Sequence, residues 1–343
     1  MPDVQLLYIG TQKGLESRIV PEHGIAFESI EVRGVVRKSL PQMALGIMTF
    51  LYGSGQALSK VRRYRPDVVI GTGGYVSAPV IAAAALLRRP ILIQEQNVIP
   101  GVANRFLARF ASCVAVAYPQ SKPYFPSSSR VLWTGNPLRP EFLRWSYADA
   151  RERLGLEDRP LVLVYAGSRG SAVINRLMSD VIAQMASIRE YDLWYVTGEA
   201  HYPELLRRLE EKGIDPGELE HVTIKPYLHE MPVVLAACDL VVMRAGAMAI
   251  SELTAVGKPA ILIPSPHVTH HHQEKNAAVL EEAGAALVLA EERLQAEHLM
   301  ANIQNVIRDP LLRNKMAKAS RSLGRPDALK DIIEQVIELG ASN

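Results

Sequence analysis

Cysteine is nearly absent: the 343-residue chain has two, Cys113 and Cys238, far apart within apolar runs. Such a pair excludes a disulfide framework or a cysteine-built metal site, and points to buried thiols in a reducing compartment, naturally the cytoplasm. Aromatic residues make up only 6%, and neither sign of charge prevails, with 38 Lys and Arg against 36 Asp and Glu. A domain-wide positive field for nucleic acid is thereby excluded, and any anion site must be local. Long apolar runs are also missing: none reaches the roughly 18 to 20 residues of a spanning helix. The start, Met1-Pro2-Asp3-Val4-Gln5-Leu6-Leu7-Tyr8, has neither the basic region nor the apolar segment of a signal peptide, so the chain reads as neither secreted nor transmembrane. The 23 glycines and 22 prolines are scattered rather than gathered in tracts, which fits neither disorder nor a collagen-like structure.

What is present is an alternation. Short β-branched runs alternate with helix-length amphipathic segments, the pattern of βα units on parallel sheets. In the first half the runs are Val4–Ile9, Val68–Ile70, Ile91–Ile93, Val114–Val116 and Val131–Trp133. The stretch Gly135-Asn136-Pro137-Leu138-Arg139-Pro140 reads as an interdomain linker, followed by a helix near Tyr147–Leu154. The second series is Leu161–Tyr165, Leu193–Val196, Val222–Ile224, Leu240–Met243, Ala260–Ile263 and Ala286–Leu289. Beyond Leu289 the pattern is only helical, and the last helix, with no strand to follow, is expected to pack back on the first domain. The fold expected is α/β, two Rossmann-like domains facing a cleft. Their boundaries are read as 1–135, 136–324 and a returning helix at 325–343.

Open parallel sheets bind ligands beyond the carboxyl ends of their strands, where glycines admit close approach and helix N-termini present free N–H groups. Three loops qualify. Gly71-Thr72-Gly73-Gly74-Tyr75 precedes a helix beginning near Val76, and Ala166-Gly167-Ser168-Arg169-Gly170-Ser171 precedes one through Asn175 and Met178. The third, Arg244-Ala245-Gly246-Ala247-Met248-Ala249-Ile250-Ser251-Glu252, puts a carboxylate, Glu252, where it can accept both hydroxyls of a ribose. Gln94-Glu95-Gln96-Asn97 reads as four polar residues at a strand's carboxyl end, more consistent with a site than with a solvated loop. The histidines His270, His271 and His272 invite a metal reading. Consecutive residues at a helix start diverge, however, and no Cys or Asp cluster adjoins them, so no metal site is expected; Gln273 is read instead as aimed at sugar hydroxyls.

In order, GTGGY, EQN followed by PG and N, TGNPLR, AGSRGS, RAGAMAISEL and GKPAILIPSPHVTHHHQEKNA resemble the MurG family of N-acetylglucosaminyltransferases over nearly the whole chain. The resemblance implies a GT-B fold, with the acceptor and membrane handled mainly by the N-terminal domain and UDP-GlcNAc mainly by the C-terminal one. It implies inverting transfer of GlcNAc to the 4-hydroxyl of undecaprenyl-diphospho-N-acetylmuramoyl-pentapeptide (lipid I to lipid II), in peptidoglycan synthesis and hence in cell shape and division. No cofactor or divalent ion is required on this reading. By motif, Asn97, Arg139, Ser168 and Gln273 match donor-binding positions, and Leu228 matches the backbone position that reads uracil. Ala247, Met248, Ala249, Ile250 and Ser251 match the segment around the α-phosphate, and Glu252 the ribose contact. Gly71, Thr72, Gly73, Gly74 and Tyr75 are the candidate acceptor loop.

The departures also carry expectations. Family members begin with a strand, a GGTGGH loop and a helix, and the match starts after these, at the Asp3–Ile9 strand. The N-terminal domain is therefore expected to be incomplete, with an exposed inner sheet edge. The usual loop histidine has no counterpart, so Glu95 is the remaining candidate base by motif position. Gln94 stands where many members have His, Arg169 where Gln is usual, and Ala166 where Gly is usual. A lipid-linked acceptor gives the basic, apolar segment from Val35 to Arg65 a role, peripheral attachment to the anionic cytoplasmic leaflet. The cell-wall synthesis machinery is a further partner class that the resemblance implies. The alternatives are a non-catalytic UDP-sugar-binding remnant, or a glycolipid glycosyltransferase of the same fold acting on diacylglycerol.

Overall fold

The structure is a computed structural model that describes residues 4–32, 40–167, 170–185 and 187–341. The chain divides into two compact units, Met1–Gly135 with Leu329–Asn343, and Asn136–Ala328.

In the first unit the order is β1 (Leu7–Gly10), α1 (Glu16–Glu22), β2 (Ala26–Ser29), α2 (Leu40–Tyr64), β3 (Val69–Gly71), α3 (Gly74–Leu86), β4 (Ile91–Glu95), α4 (Val102–Leu107), β5 (Cys113–Val116) and β6 (Val131–Trp133). Strands β3-β4-β5-β6 form one parallel sheet and β1-β2 another. The β-branched runs become strands because both faces of the sheet are covered, so no polar alternation is needed. Ile91, Ile93, Val114 and Val116 pack against Ile81 and Ala84 of α3 on one face. Helix α3 also touches β1, and its Ala83 joins Ile30, Val32 and Ala57 and Val61 of α2 in a separate cluster. Among the described residues β1 and β3 each keep one unpaired edge, and Tyr8 and Ile70 on these strands stand 41% and 48% exposed.

The second unit runs α5 (Tyr147–Leu154), β7 (Leu161–Tyr165), α6 (Ala172–Met185), β8 (Asp192–Val196), α7 (Tyr202–Glu211), β9 (Val222–Lys225), α8 (Met231–Ala237), β10 (Leu240–Met243), α9 (Ala247–Val256), β11 (Ala260–Leu262), α10 (His272–Glu282), β12 (Ala286–Val288), α11 (Ala296–Arg308) and α12 (Pro310–Leu323). Its sheet is all parallel in the order β12-β11-β10-β7-β8-β9, so the winding reverses between β7 and β10. That switch point is where an open sheet of this kind leaves a crevice for a ligand. The final helix, α13 (Ala328–Ala341), places Ile332, Val336 and Leu339 against Leu92 of β4 and Ala115 of β5, covering the other face of the first unit's sheet. Arg130 and Glu338 join the same helix to the start of β6 by a bidentate pair at 3.2 and 3.3 Å.

Three local readings change. Helix α1 and strand β2 occupy a stretch for which neither was expected, and β1 begins at Leu7 rather than Val4. Strand β4 continues to Glu95, because Gln94 and Glu95 pair with Ala115 and Val116 of β5. The four polar residues are therefore not all loop: Gln94 and Glu95 are buried in the strand, and Gln96 and Asn97 leave it.

Candidate functional site

In the first unit the loop Gly71–Tyr75 turns from β3 into α3 through Gly73 and Gly74, at φ +93° and +76°, a region that favours glycine. Beside it, Gln96 Nε2 donates to the Thr72 carbonyl at 2.8 Å and to Gln94 Oε1 at 2.5 Å. Glu95 lies beneath, 2% exposed. Its Oε1 accepts from the Asn97 backbone N–H at 3.0 Å and from Asn97 Nδ2 at 3.4 Å, while Oε2 accepts from the Gly101 N–H at 3.0 Å and Asn104 Nδ2 at 2.8 Å. Ser121 Oγ donates to the Asn97 carbonyl at 3.0 Å, so Asn97 is held from both sides. Thus GTGGY, Glu95, Asn97 and the PG–N motif come together in one hydrogen-bonded cluster. Tyr75 stands half exposed at the loop's end.

In the second unit four loops meet at the carboxyl ends of the strands. Arg244, at the end of β10, joins them: Nη1 donates to the Ile263 carbonyl at 3.0 Å, Nη2 donates to Ser171 Oγ at 2.7 Å, and the guanidinium pairs with Glu291. Both charges are largely out of water, which makes their mutual neutralisation necessary. Sequence reading placed Arg244 within a motif but gave it no task. Its signal was a charged residue between an apolar strand and a small-residue loop.

Helix α9 begins at Gly246 with no side chain capping it, so its first N–H groups are available to an anion. Ala247, Met248 and Ala249 lie on its first turn, with Ile250 buried. Asn136, 1% exposed, donates from Nδ2 to Ser251 Oγ at 2.9 Å, which seats the TGNPLR segment on this helix. Arg139 lies close enough to Glu252 to act on its charge. Burial pushes the Glu252 carboxyl up to about 7, and the Arg139 guanidinium opposes that rise without cancelling it. The Tyr165 hydroxyl, at the end of β7, is buried without a hydrogen-bond partner, and Glu252 adds to the burial that raises its pKa.

Gln273 on α10 accepts from the Ser265 N–H at 2.9 Å through Oε1, which fixes the side chain and turns its amide nitrogen elsewhere. Asn276, fully buried on the same helix, donates to the Ala245 carbonyl at 3.4 Å. His270 and His271 both adopt left-handed backbone, at φ +54° and +53°, and His271 Nδ1 lies 3.0 Å from Glu274 Oε1. Among the described residues no three His, Cys, Asp or Glu side chains gather as metal ligands. Leu228 is buried just after β9. Gly170, at φ +70°, packs so closely that a Cβ there would lie 2.1 Å from the Thr197 carbonyl oxygen. Ser168, with Arg169, lies outside the described residues. Asn136, Arg139, Glu252, Gln273 and the α9 start thus belong to one unit; Glu95, Asn97 and Gly71–Tyr75 belong to the other.

The basic, apolar segment is only partly described: Arg37 and Lys38 fall outside the described residues. In α2, Ala57 and Val61 are buried, while Met48, Leu51 and Tyr52 are at least 60% exposed. Lys60 and Arg63 are committed to Glu28 of β2, with Lys60 Nζ at 2.5 Å from Glu28 Oε2. The hydrogen bond from Lys60 is the main reason the Glu28 carboxyl is held below its usual range. Arg62 and Arg65 remain exposed. A second apolar patch, not foreseen from sequence, exposes Val102, Phe106 and Phe110, with the Arg109 guanidinium 4.6 Å from the Phe106 ring centre. No helix among the described residues is long and apolar enough to cross a membrane.

The comparisons agree with this architecture. Residues 1–116 match the glycosyltransferase family 28 N-terminal domain, and residues 161–335 its C-terminal domain. A Bacillus cytotoxicus UDP-N-acetylglucosamine--N-acetylmuramyl-(pentapeptide) pyrophosphoryl-undecaprenol N-acetylglucosamine transferase is 43% identical over 339 residues, 98% of this chain and 92% of its own length. The protein of that name from Acetivibrio thermocellus is 40% identical over 341 residues, 98% of this chain and 90% of its own. The crystal structure of Acinetobacter baumannii MurG superposes with a TM-score of 0.77 at 25% identity, over 97% of this chain and 91% of that one. With two family-28 domains, a reversal of winding beside an uncapped helix and near-complete coverage by such relatives, the chain belongs to the MurG family of glycosyltransferases.

Proposed function

We propose that the chain transfers N-acetylglucosamine from UDP-GlcNAc to the 4-hydroxyl of undecaprenyl-diphospho-N-acetylmuramoyl-pentapeptide, with inversion, in peptidoglycan synthesis. The observation that carries this reading is 43% identity to a transferase of that name across 98% of the chain. UDP-GlcNAc is a substrate here, and lipid I the acceptor.

The second unit is the donor side, a reading its geometry supports. The uncapped start of α9, Ala247 to Ser251, receives the diphosphate, whose charge suits free N–H groups and the positive end of the helix dipole. Glu252 takes the ribose hydroxyls, Arg139 offsets phosphate charge beside it, Leu228 supplies backbone to uracil, and Gln273 offers its amide nitrogen to the sugar. Ser168 is assigned to the donor by motif alone. As the glycosidic bond to UDP breaks through an oxocarbenium-like state, negative charge builds on the leaving diphosphate, and the helix N–H groups and arginine lower the energy of that state more than that of the intact donor. By motif, Asn97 is assigned to the donor and Gly71–Tyr75 to the acceptor.

The chain works at the cytoplasmic face of the bacterial membrane as a peripheral protein. The exposed Met48, Leu51 and Tyr52 with Arg62 and Arg65, and the Phe106–Phe110 patch with Arg105 and Arg109, suit an anionic bilayer surface, apolar groups entering the interface and cations meeting headgroups. Other components of the cell-wall synthesis machinery are its natural partners there.

The test is UDP release from UDP-GlcNAc with a lipid I analogue in anionic vesicles. Release requiring both substrates is expected. No release where a relative such as the B. cytotoxicus enzyme turns over would overturn the enzyme reading, and calorimetric UDP-GlcNAc binding without turnover would replace it with a non-catalytic donor-binding protein. Preference for diacylglycerol in a competition assay would reassign the acceptor.

A further inference from the structure

A single buried carboxylate ties together two of the segments that carry the first unit's motifs, at Asn97 and at Gly101 and Asn104, and reaches the third, the glycine loop, through Asn104. We infer that Glu95 is a positioning residue, which fixes Asn97 and the Gly71–Tyr75 loop, and is not the proton acceptor of the transfer. The assignment of ligands to those segments rests on the transferase reading above; the positioning itself rests on geometry alone.

A general base needs a lone pair within hydrogen-bond reach of the hydroxyl it deprotonates. A carboxylate has about four acceptor sites. Those of Glu95 face four donors of its own unit, the Asn97 and Gly101 N–H groups and the Asn97 and Asn104 amides, all within 3.4 Å. At 2% exposure the group has no open side from which an acceptor hydroxyl could approach. The same four contacts state what the residue does. Two hold Asn97, whose carbonyl is held by Ser121 at 3.0 Å. A third takes the N–H of Gly101, the residue that starts α4. The fourth holds the Asn104 amide, which packs against the glycine loop so closely that a Cβ at Gly73 would lie 3.3 Å from Asn104 Nδ2. Gln96, the next residue, grips the Thr72 carbonyl from the other side at 2.8 Å.

The test compares Glu95→Gln, Asn97→Ala, the double variant and Asn104→Ala in the full chain. Glu95→Gln keeps the volume but turns one acceptor into a donor facing donors. Steady-state kinetics should show KM for UDP-GlcNAc raised about 10- to 100-fold in Glu95→Gln, the scale expected of a displaced contact. In KM for UDP-GlcNAc the double variant should be no worse than Asn97→Ala, the acid limb of the pH–kcat profile should persist, and the Asn97 and Gly101 amides should exchange hydrogen faster. A kcat loss of about 100- to 10,000-fold at unchanged KM, with the acid limb gone, is the signature of a lost base and would overturn the inference. Additive increases in KM for UDP-GlcNAc in the double variant would overturn it as well. Should Glu95→Gln not fold, Asn104→Ala decides: a raised acceptor KM is expected, and unchanged KM values for both substrates would be fatal. If the wild-type chain released no UDP, the transferase reading would fail alone, and unchanged exchange at Asn97 and Gly101 in Glu95→Gln would still refute the positioning role.

Discussion

The two units organise their loops with buried charges of opposite sign. In the first, the carboxylate of Glu95 gathers N–H groups, including that of Gly101 at the start of α4. In the second, the guanidinium of Arg244 gathers oxygens, the Ile263 carbonyl, Ser171 Oγ and Glu291. The difference bears on where an anion can bind. Glu95 takes one of the donors at the start of α4, the Gly101 N–H, whereas Arg244 uses only acceptors and takes none from α9. A parallel sheet offers helix N-termini beyond every strand, and a buried carboxylate placed beside one competes with a bound anion for its N–H groups.

The largest effect should come from breaking the second hub. Arg244→Met leaves Glu291 buried without its partner, and a destabilisation of about 3–5 kcal/mol is expected in chemical denaturation. Arg244→Met with Glu291→Leu removes both charges and should recover most of the loss; failure to recover would mean that the contacts to Ile263 and Ser171 outweigh the pair. Next, Gly170→Ala puts a Cβ 2.1 Å from the Thr197 carbonyl oxygen at a left-handed backbone position, and should cost roughly 1–3 kcal/mol of stability. Thermal melting would show this, and an unchanged midpoint would mean that the loop relaxes freely.

A comparable figure, about 1–3 kcal/mol of UDP binding, is expected for Glu252→Ala if the carboxylate holds the ribose hydroxyls. Calorimetry with UDP measures it, and an unchanged Kd would remove Glu252 from the donor site. A further expectation concerns pH dependence. The Glu252 carboxyl is raised by burial from 4.5 to about 7, so between these values the folded chain binds more protons than the unfolded one. Stability must therefore fall as pH rises through that window. Glu252→Gln should flatten this part of the melting profile, so that its advantage over wild type is larger at pH 8 than at pH 5, in a range set by about 4.5 and about 7. Equal slopes would show that the group is not desolvated in solution.

The second unit was the more legible. Leu161–Tyr165 and Leu240–Met243 were readable to the residue, because both faces of these strands are buried and the runs are apolar throughout. Strand β2, Ala26–Ser29, was not, since it is short, half-exposed and carries Glu28 to meet Lys60 and Arg63. Of the candidate site, the glycine loops, the α9 start and Glu252 stand out in the sequence, because glycines or a carboxylate after an apolar strand are a local signal. The task of Arg244 could not, for its partners Ser171, Ile263 and Glu291 are spread over 120 residues of chain. Nor could the burial of Glu95: it stands among polar neighbours in sequence, and only the pairing of β4 with β5 draws it into the sheet.

By itself, the sequence determined the parallel α/β class, most of the strands and the loops proposed to carry the chemistry, since hydrophobic period and glycine placement act over a few residues. Tertiary structure alone decided that Glu95 is enclosed by four donors, that Arg244 joins four loops, and that Glu252 titrates near neutrality. Hydrogen-bond partners and desolvation depend on which distant segments the fold brings within a few ångströms, and spacing along the chain carries no record of that.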